Sequence, residues 1–182
     1  MVRYVAFLRA INVGGHQVVK MSDLRSLFEA AGFANVETYI QSGNVIFESQ
    51  DQKTEALELR IESQLRRALG YPVTTFLRPL QEIVKIAERA PFGAIDAAAD
   101  ERLYVAFVKE APSAEAGRRL IALGNNVDEF HIHRREVYWL QRRQRGVSRF
   151  SGATLEKTLE TLVTVRNQAT ITAVAAKFGA PA

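Results

Sequence analysis

The chain has 182 residues, a formal net charge of +4 and no cysteine, which excludes disulfides, thiolate metal sites and cysteine nucleophiles. Hydrophobic residues make up 47% of the chain and charged residues 24%, as is typical of a globular protein with a buried core. No stretch approaches the roughly 20 apolar residues that span a bilayer, so we expect a cytoplasmic protein without membrane association.

The first half of the chain predicts the order strand–helix–strand–strand–helix–strand. A short apolar run near the start, which carries Arg3 and Arg9, is typical of a covered strand. It is not followed by the small-residue cleavage pattern of a signal peptide. Ser22 is the expected N-cap of the first helix. The sequence Gln41-Ser42-Gly43-Asn44 favours a hairpin between the two middle strands. The predicted strands cover residues 4–8, 36–40, 45–47 and 73–77, and the predicted helices cover residues 22–31 and 57–68.

The second half repeats this order. Its first apolar run, residues 104–108, matches residues 4–8 almost position for position. Its other predicted strands cover residues 127–132, 137–140 and 163–165, and its helices cover residues 113–123 and 155–162. The order βαββαβ, used twice, predicts an α+β fold of two tandem ferredoxin-like units with antiparallel sheets and a C-terminal helix. We place the halves at residues 1–95 and 96–182, with a helical segment at 80–87 before the boundary.

Two polar loops of the first half are expected at one end of its sheet. Strands one and two of such a unit run in the same direction, so the loops that leave them emerge together. The first loop is long, glycine-rich and ends at a helix N-terminus, a favourable place for an anion. Ordinary turns also explain both loops, and the two interpretations stay open. The candidate ligand residues are Arg9, Asn12, Gly14, Gly15, Lys20, Gln41, Ser42 and Asn44.

The positive charge is concentrated between residues 131 and 149, where six arginines accompany one acidic residue, Glu136. Tyr138 and Trp139 lie between two arginine pairs, Arg134-Arg135 and Arg142-Arg143, so stacking groups and phosphate partners are close in sequence. Adjacent strand residues face opposite sides, so at most one of the two aromatics would meet a ligand. A nucleic-acid partner is therefore possible, and a solvated basic hairpin is the alternative.

Histidine chemistry offers two weaker candidates. His16, in the glycine-rich loop, has the type of side chain that serves as an acid–base group near neutral pH. His131 and His133 alternate on one strand face with Glu129, a spacing that can bind a transition metal. No motif supplies a nucleophile or a complete metal-ligand set, so we expect no metal and no cofactor.

Three motifs taken together resemble a known family. They are YVAFLRAINVGG at 4–15, VKM at 19–21 and YIQSGNV at 39–45. The C-terminal part, with Gly146, Ser148-Arg149, LEK at 155–157 and TVRN at 164–167, is also similar to the family called domain of unknown function 1697. The resemblance implies a bacterial protein with a duplicated ferredoxin-like fold and implies no activity. It adds Arg149, Arg166 and Asn167 as candidate ligand residues, whereas Gln168-Ala169 departs from the family pattern.

The sequence thus favours a binding protein for an anionic ligand, which is a phosphorylated or carboxylated metabolite or a nucleic acid. An enzyme that acts on a small anionic substrate, with His16 as acid–base, is the first alternative. A scaffold without a ligand is the second, and it would form a homodimer through edge strands or remain a monomer.

Overall fold

The computed structural model describes residues 1–12, 18–51 and 53–179. Over these residues the fold is α+β, with two four-stranded antiparallel sheets and six α-helices, which confirms the predicted class. The elements are β1 (Val2–Leu8), α1 (Met21–Ala30), β2 (Ala34–Tyr39), β3 (Asn44–Ser49), α2 (Thr54–Leu69), β4 (Thr75–Pro79), α3 (Leu80–Glu88), β5 (Glu101–Val108), α4 (Ala114–Ala122), β6 (Asp128–His133), β7 (Glu136–Arg142), α5 (Gly152–Leu159), β8 (Val163–Asn167) and α6 (Gln168–Phe178).

The two sheets have the same strand order. One sheet runs β2-β3-β1-β4 and the other runs β6-β7-β5-β8. In the first, β1 is central, with Tyr4 opposite Phe47 on one side and opposite Pro79 on the other. In the second, Tyr104 of β5 lies opposite Trp139 and Asn167. The repeated order and register place the corresponding loops of both sheets in corresponding positions.

Each copy of the repeat contains one more helix than the predicted βαββαβ unit. In the first copy β4 ends at Pro79 and α3 begins at Leu80, and in the second β8 ends at Asn167 and α6 begins at Gln168. The segment expected between the halves and the expected C-terminal helix are therefore equivalent elements. The repeated order is βαββαβα.

The chain divides into two compact units. One comprises Met1–Lys85 together with the chain from Val174 onward, and the other comprises Ile86–Ala173. The divisions fall inside α3 and α6. The predicted domain boundary near residue 95 stays a prediction.

The apolar run of β1 is continuous because both faces of the strand are buried. Tyr4, Ala6 and Leu8 on one face and Val5 and Phe7 on the other are each at most 1% exposed. The first three join the core beneath α1 and α2, to which these helices contribute the apolar stripe Leu24, Phe28, Leu57, Ile61 and Leu65. This burial is typical of a central strand, and it fixes the register of β1 against its neighbours.

The second unit has a corresponding core. Ala106 and Val108 of β5 pack with Val137 and Trp139 of β7 and with Leu120 and Leu155 of the two covering helices. The Ser113 hydroxyl accepts a hydrogen bond from Ala116 N (3.1 Å) and caps α4.

Glutamates of the covering helices accept hydrogen bonds from backbone N–H groups at the outer edges of β4 and β8. Oε1 of Glu62 accepts from Thr75 N (2.8 Å), and Oε1 of Glu58, one turn earlier on α2, accepts from Leu77 N (2.8 Å). In the second unit Glu156 Oε1 accepts from Val163 N (3.0 Å). Carboxylates thus occupy positions at which an added strand would otherwise pair.

Candidate functional site

The loops that follow β1 and β2 meet at one end of the first sheet. Leu8 N donates to Gly43 O (2.8 Å), and Arg9 N donates to Thr74 O (2.9 Å). Phe7 lies opposite Asn44 in the β1–β3 register. We call the residues 9–12, 18–20 and 40–44 the loop rim. The predicted juxtaposition of the two polar loops is therefore present.

Asn12 connects three parts of the loop rim through its side chain. Its Nδ2 donates to Val19 O (3.0 Å) and to Gln41 O (2.9 Å), and its Oδ1 accepts from Val19 N (2.7 Å). Both amide hydrogens are engaged, so this side chain holds the loops together and has no free donor for a ligand.

The Asn44 side chain also links parts of the loop rim by hydrogen bonds. Its side chain is fully buried, and Nδ2 donates to Tyr39 O (2.9 Å) and Ser42 Oγ (2.9 Å). It closes the β2–β3 hairpin and orients the Ser42 hydroxyl. Of the predicted hairpin residues, Gln41 presents the exposed side chain.

Left-handed backbone conformations are concentrated at the loop rim. Ala10 (φ 60°), Asn12 (φ 56°) and Ile40 (φ 51°) have positive φ, and so does Gly43 (φ 72°). Asn tolerates this region, but a β-branched residue such as isoleucine is a true outlier there. Such strain persists when the surrounding structure holds it, and it is frequent at functional sites.

The N-terminus of α1 opens at the same rim without a side-chain cap. The N-cap residue is Lys20, which is exposed and makes no capping hydrogen bond. The prediction that Ser22 caps α1 was wrong, because the helix begins at Met21 and the Ser22 hydroxyl instead donates to Asp23 Oδ1 (3.3 Å). Asp23 lies in the first turn and offsets part of the positive charge.

Apolar side chains flank these polar groups. Val18 is 71% exposed and Ile40 is 49% exposed. Arg9, at the end of β1, is half-buried. Val18 and Ile40 were not among the predicted site residues, because an apolar side chain in a loop or at the end of a predicted strand is normally assigned to a core. The predicted residues Gly14, Gly15 and His16 lie outside the described residues.

The remaining predicted ligand residues belong to the second unit. Arg166 is buried, its Nη1 donates to Thr164 Oγ1 (2.8 Å) and Val165 O (3.0 Å), and burial lowers its pKa to about 10. Asn167 Oδ1 accepts from Thr170 N (2.7 Å) at the start of α6, where it acts as a helix cap.

The structure adds a counterpart to Arg166. Arg78 lies opposite Val5 and Arg166 lies opposite Val105, so the two arginines occupy equivalent positions. Arg78 is fully buried, and its Nη1 donates to Leu77 O (2.8 Å). In both halves an arginine near the end of the last strand precedes a helix, and this repeated pattern was the available sequence signal.

His133 makes a contact that disfavours metal binding on β6. Arg89 Nη2 lies 3.1 Å from His133 Nε2, so the guanidinium occupies the lone pair that a metal would need. Burial lowers the pKa of His133, and the nearby charges of Arg89 and Arg134 lower it further. Among the described residues no group of three potential ligands is placed to hold a metal ion.

Part of the basic segment is neutralised. Arg142 forms ion pairs with Glu129 (2.6 Å) and Glu101 (3.4 Å), and Arg143 Nε lies 3.8 Å from a carboxylate oxygen of Asp100. By contrast, the exposed side chains of Arg134, Arg145 and Arg149 pair with no carboxylate in the described part of the chain.

The two aromatic residues in this segment are not available for base stacking. Tyr138 is fully buried, and burial raises its pKa to about 12, with the nearby Glu136 contributing. Trp139 is 5% exposed and belongs to the core. Both faces of β7 are covered at these positions, so neither of the two aromatic side chains is exposed to a ligand.

A cavity of about 300 Å³ lies between α2 and the chain that enters β4, lined by Leu59, Glu62, Ser63, Arg66, Pro72, Val73 and Thr74. A groove lies at the equivalent place in the second unit, where Glu156 lines it as Glu62 does here. Because a depression lies at this place in both units although the side chains differ, we attribute it to the geometry of the repeated fold.

Comparisons with known proteins give a family and a fold. The family described as "Protein of unknown function (DUF1697)" matches residues 1–138. A solved structure of the conserved bacterial protein SP0830 from Streptococcus pneumoniae is similar, with a TM-score of 0.72 and 23% identity over 99% of each chain. No protein in the curated set matches the sequence. Across the described residues, no helix has the length and apolar character needed to cross a membrane.

Proposed function

The chain belongs to the DUF1697 family of proteins of unknown function, and from that premise we propose that it binds a small anionic ligand at the loop rim of its first unit. The ligand carries a phosphate or carboxylate group. The observation that carries the proposal is the Asn12 side chain, which fixes Val19 and Gln41 together beside the uncapped start of α1.

The groups that would meet the ligand are Lys20, the Gln41 side chain, Arg9 and the first N–H groups of α1. Free helix N–H groups and a nearby ammonium are a favourable environment for a negative charge. Ser42 supplies a hydroxyl that Asn44 orients. Gly14 and Gly15 remain proposed members on the sequence pattern alone.

The fold assignment is a further part of the proposal. We infer that each unit is a ferredoxin-like unit, since the order βαββαβ with antiparallel strand order 2-3-1-4 supports that assignment. The division of the duplication near residue 95 and the ligand roles of Arg149, Arg166 and Asn167 are also proposals. Arg166 and Asn167 make the structural contacts described above, so Arg149 is the better ligand candidate of the three.

The experiment is a thermal-unfolding screen with phosphate monoesters and small carboxylates. A ligand at 100 times its Kd stabilises the folded state by about 2.7 kcal/mol, which raises Tm by about 5–10 °C for a chain of this size. The response is expected to disappear in Lys20→Ala and to weaken in Arg9→Ala.

Lys53 provides a matched control. It is the N-cap of α2, as Lys20 is of α1, and it too makes no side-chain capping bond. Lys53→Ala therefore removes the same charge from another helix start in the same unit. A response that Lys53→Ala abolishes as well, or the lack of a response from any anion, contradicts the proposed site.

An enzyme with His16 as its acid–base group is the second candidate. It predicts turnover of a small anionic substrate that His16→Ala abolishes while anion binding persists. Turnover that survives this substitution excludes the role of His16.

A further inference from the structure

A contact between Arg89 and His133 ties the chain that follows α3 to the edge strand β6. Nη2 of Arg89 lies 3.1 Å from Nε2 of His133. Arginine has no acceptor, so the guanidinium donates and Nε2 of a neutral imidazole accepts. Three residues later, the Phe92 ring meets the His131 ring edge-on, with 6.4 Å between their centroids. We call residues 89–92 the strap, because these two contacts hold them to one strand.

The helix before the strap has an attachment of its own. Nε2 of Gln168, at the start of α6, donates to Ala87 O (2.8 Å). This bond joins two groups that do not titrate. Since α3 ends at Glu88, loss of the His133 contact frees the strap and leaves the end of the helix in place.

Lys177 and Tyr39 make the equivalent contact in the first unit. Counted from the start of each helix, Lys177 has the place in α6 that Arg89 has after α3, and Tyr39 ends β2 as His133 ends β6. Nζ of Lys177 lies 5.9 Å from the centre of the Tyr39 ring. A cation therefore meets an aromatic side chain at the same place in both copies. Of the two rings, only that of His133 titrates near neutral pH.

The charges around His133 oppose a further positive charge on its ring. Arg89 approaches from the end of α3, Arg134 lies in the β6–β7 turn, and His131 is two residues away on the same strand. Glu136 of β7, opposite His133 in the strand register, is the carboxylate that favours protonation. Burial, the two arginines and His131 together lower the pKa of His133 against the effect of Glu136.

Tyr138 of β7 completes the surroundings of the strap. It lies opposite His131 in the strand register and is fully buried. Burial raises the pKa of Tyr138 to about 12, with Glu136 adding to the rise and Arg89 opposing it. The phenol therefore stays neutral over the range in which histidine titrates. The imidazoles are thus the groups beside the strap whose charge changes in that range.

Protonation of His133 removes the acceptor that Arg89 uses. Once a proton binds Nε2, both ring nitrogens are donors, and the imidazolium meets the guanidinium as a like charge. The closed strap, which lowers the pKa of His133, is therefore fully favoured above about 6.5 and loses stability as the pH falls. At pH 5 the shift toward release reaches up to about 30-fold, which is comparable to the strength of one hydrogen bond.

We propose that the strap is a pH-sensitive device of the second unit, closed when His133 is neutral and released when His133 takes up a proton. Release uncovers the side of the His131 ring that Phe92 contacts in the closed strap. The Lys177–Tyr39 contact holds no group that titrates in this range, so the first unit keeps it closed. The device is separate from the loop rim and does not depend on the anion proposed there.

The test is a series of NMR spectra of the whole chain from about pH 7.5 to about pH 5. The backbone amides of Arg89, Ala90 and Phe92 are expected to titrate with the same midpoint as the His133 ring. Their order parameters are expected to fall from about 0.85 to below about 0.6, the values of rigid and flexible backbone. Residues 174–178, which include Lys177 of the equivalent contact, are expected to keep their order parameters.

Two substitutions on β6 form a matched pair. His133→Gln keeps an acceptor for Arg89 without a titrating ring, so the strap is expected to stay closed at pH 5. His131→Phe keeps an aromatic ring against Phe92, so the pH response is expected to persist. Arg89→Gln removes the neighbouring charge and is expected to move the midpoint of the His133 ring up toward 6.5, which a merely structural contact would not do.

Four results overturn the proposal. The first is a strap that stays rigid at pH 5, and the second is a midpoint of its amides that differs from that of the His133 ring. The third is a response that survives His133→Gln or disappears in His131→Phe. The fourth is an equal loss of order at residues 174–178, because it would show general loosening of the fold in acid.

Discussion

The Nδ2 atom of Asn12 lies 2.9 Å from the carbonyl oxygen of Gln41, 29 residues later in the chain. The same side chain bonds both the N–H and the C=O of Val19. One asparagine thus fixes the relative position of both loops proposed to bind an anion.

Asn12→Gly is expected to lower the free energy of unfolding by about 1–3 kcal/mol, because it removes three hydrogen bonds and keeps the positive φ accessible. Asn12→Ala is expected to cost about 1 kcal/mol more, since alanine disfavours that conformation. Urea unfolding measures both. The anion response is lost in both variants, and a glycine variant with wild-type stability and response contradicts the role of Asn12.

Gly43→Ala is expected to destabilise the protein more than Gly70→Ala. Both glycines have positive φ, but a Cβ at residue 43 lies 3.1 Å from Leu8 Cβ, whereas at residue 70 it meets nothing within 4 Å. Gly70→Ala should cost about 1 kcal/mol, and Gly43→Ala about 1–3 kcal/mol beyond that through overpacking. Thermal unfolding with and without anion distinguishes them, since only Gly43→Ala is expected to reduce the response.

Glu58→Ala is expected to cost about 1–3 kcal/mol, because it leaves the buried Leu77 N–H without its acceptor. Glu58→Gln keeps an acceptor oxygen and is the matched control. Amide hydrogen exchange at Leu77 reports the bond directly. Equal exchange rates in the two variants would show that the carboxylate does not protect this strand.

Ser148→Ala is expected to lower the free energy of unfolding by about 1–2 kcal/mol, because the Ser148 hydroxyl bridges Asp128 and Phe150 N. Trp139 Nε1 donates to the same Asp128 oxygen (2.8 Å), and it is the one tryptophan of the sequence. Its fluorescence therefore reports the change. Ser63→Ala, on the exposed surface of α2, should stay within about 0.5 kcal/mol of the wild type.

His133 is expected to make stability depend on pH below about 6.5, the ordinary pKa of histidine. Burial and the charges of Arg89 and Arg134 lower the pKa of His133 in the folded state, against an opposing effect of Glu136. As the pH falls below 6.5 the unfolded chain takes up this proton first, so the His133 contribution is complete above 6.5 and is lost through the folded-state pKa. His133→Gln should flatten the curve of unfolding free energy between pH 7.5 and 5. An unchanged curve contradicts this assignment.

The α+β class and most elements could be predicted because alternating and helical apolar patterns report burial. The helix Leu80–Glu88 was predicted, but its equivalence to α6 was not, because the two helices share few residue types. The prediction of a cap at Ser22 was wrong because a residue's preference for the N-cap position does not specify at which residue the helix begins.

The candidate site could be predicted as a meeting of loops, since topology fixes which strand ends lie together. It could not be predicted that Asn12 and Asn44 act as structural links, because an amide in a loop looks the same whether it bonds backbone or ligand. The burial of Tyr138 was equally hidden, since alternation tells which face a residue takes and not whether that face is covered.

The glutamates that bond the outer strands β4 and β8 differ between the two copies of the repeat. Glu62 and Glu156 are counterparts, but the residue four positions before Glu156 is Gly152, which has no side chain to place where Glu58 lies. The first copy thus has two glutamates that accept from N–H groups of its outer strand, and the second copy has glycine at the position that corresponds to Glu58. We therefore expect local opening of the native state to begin at β8, and we expect Gly152→Glu to slow this opening.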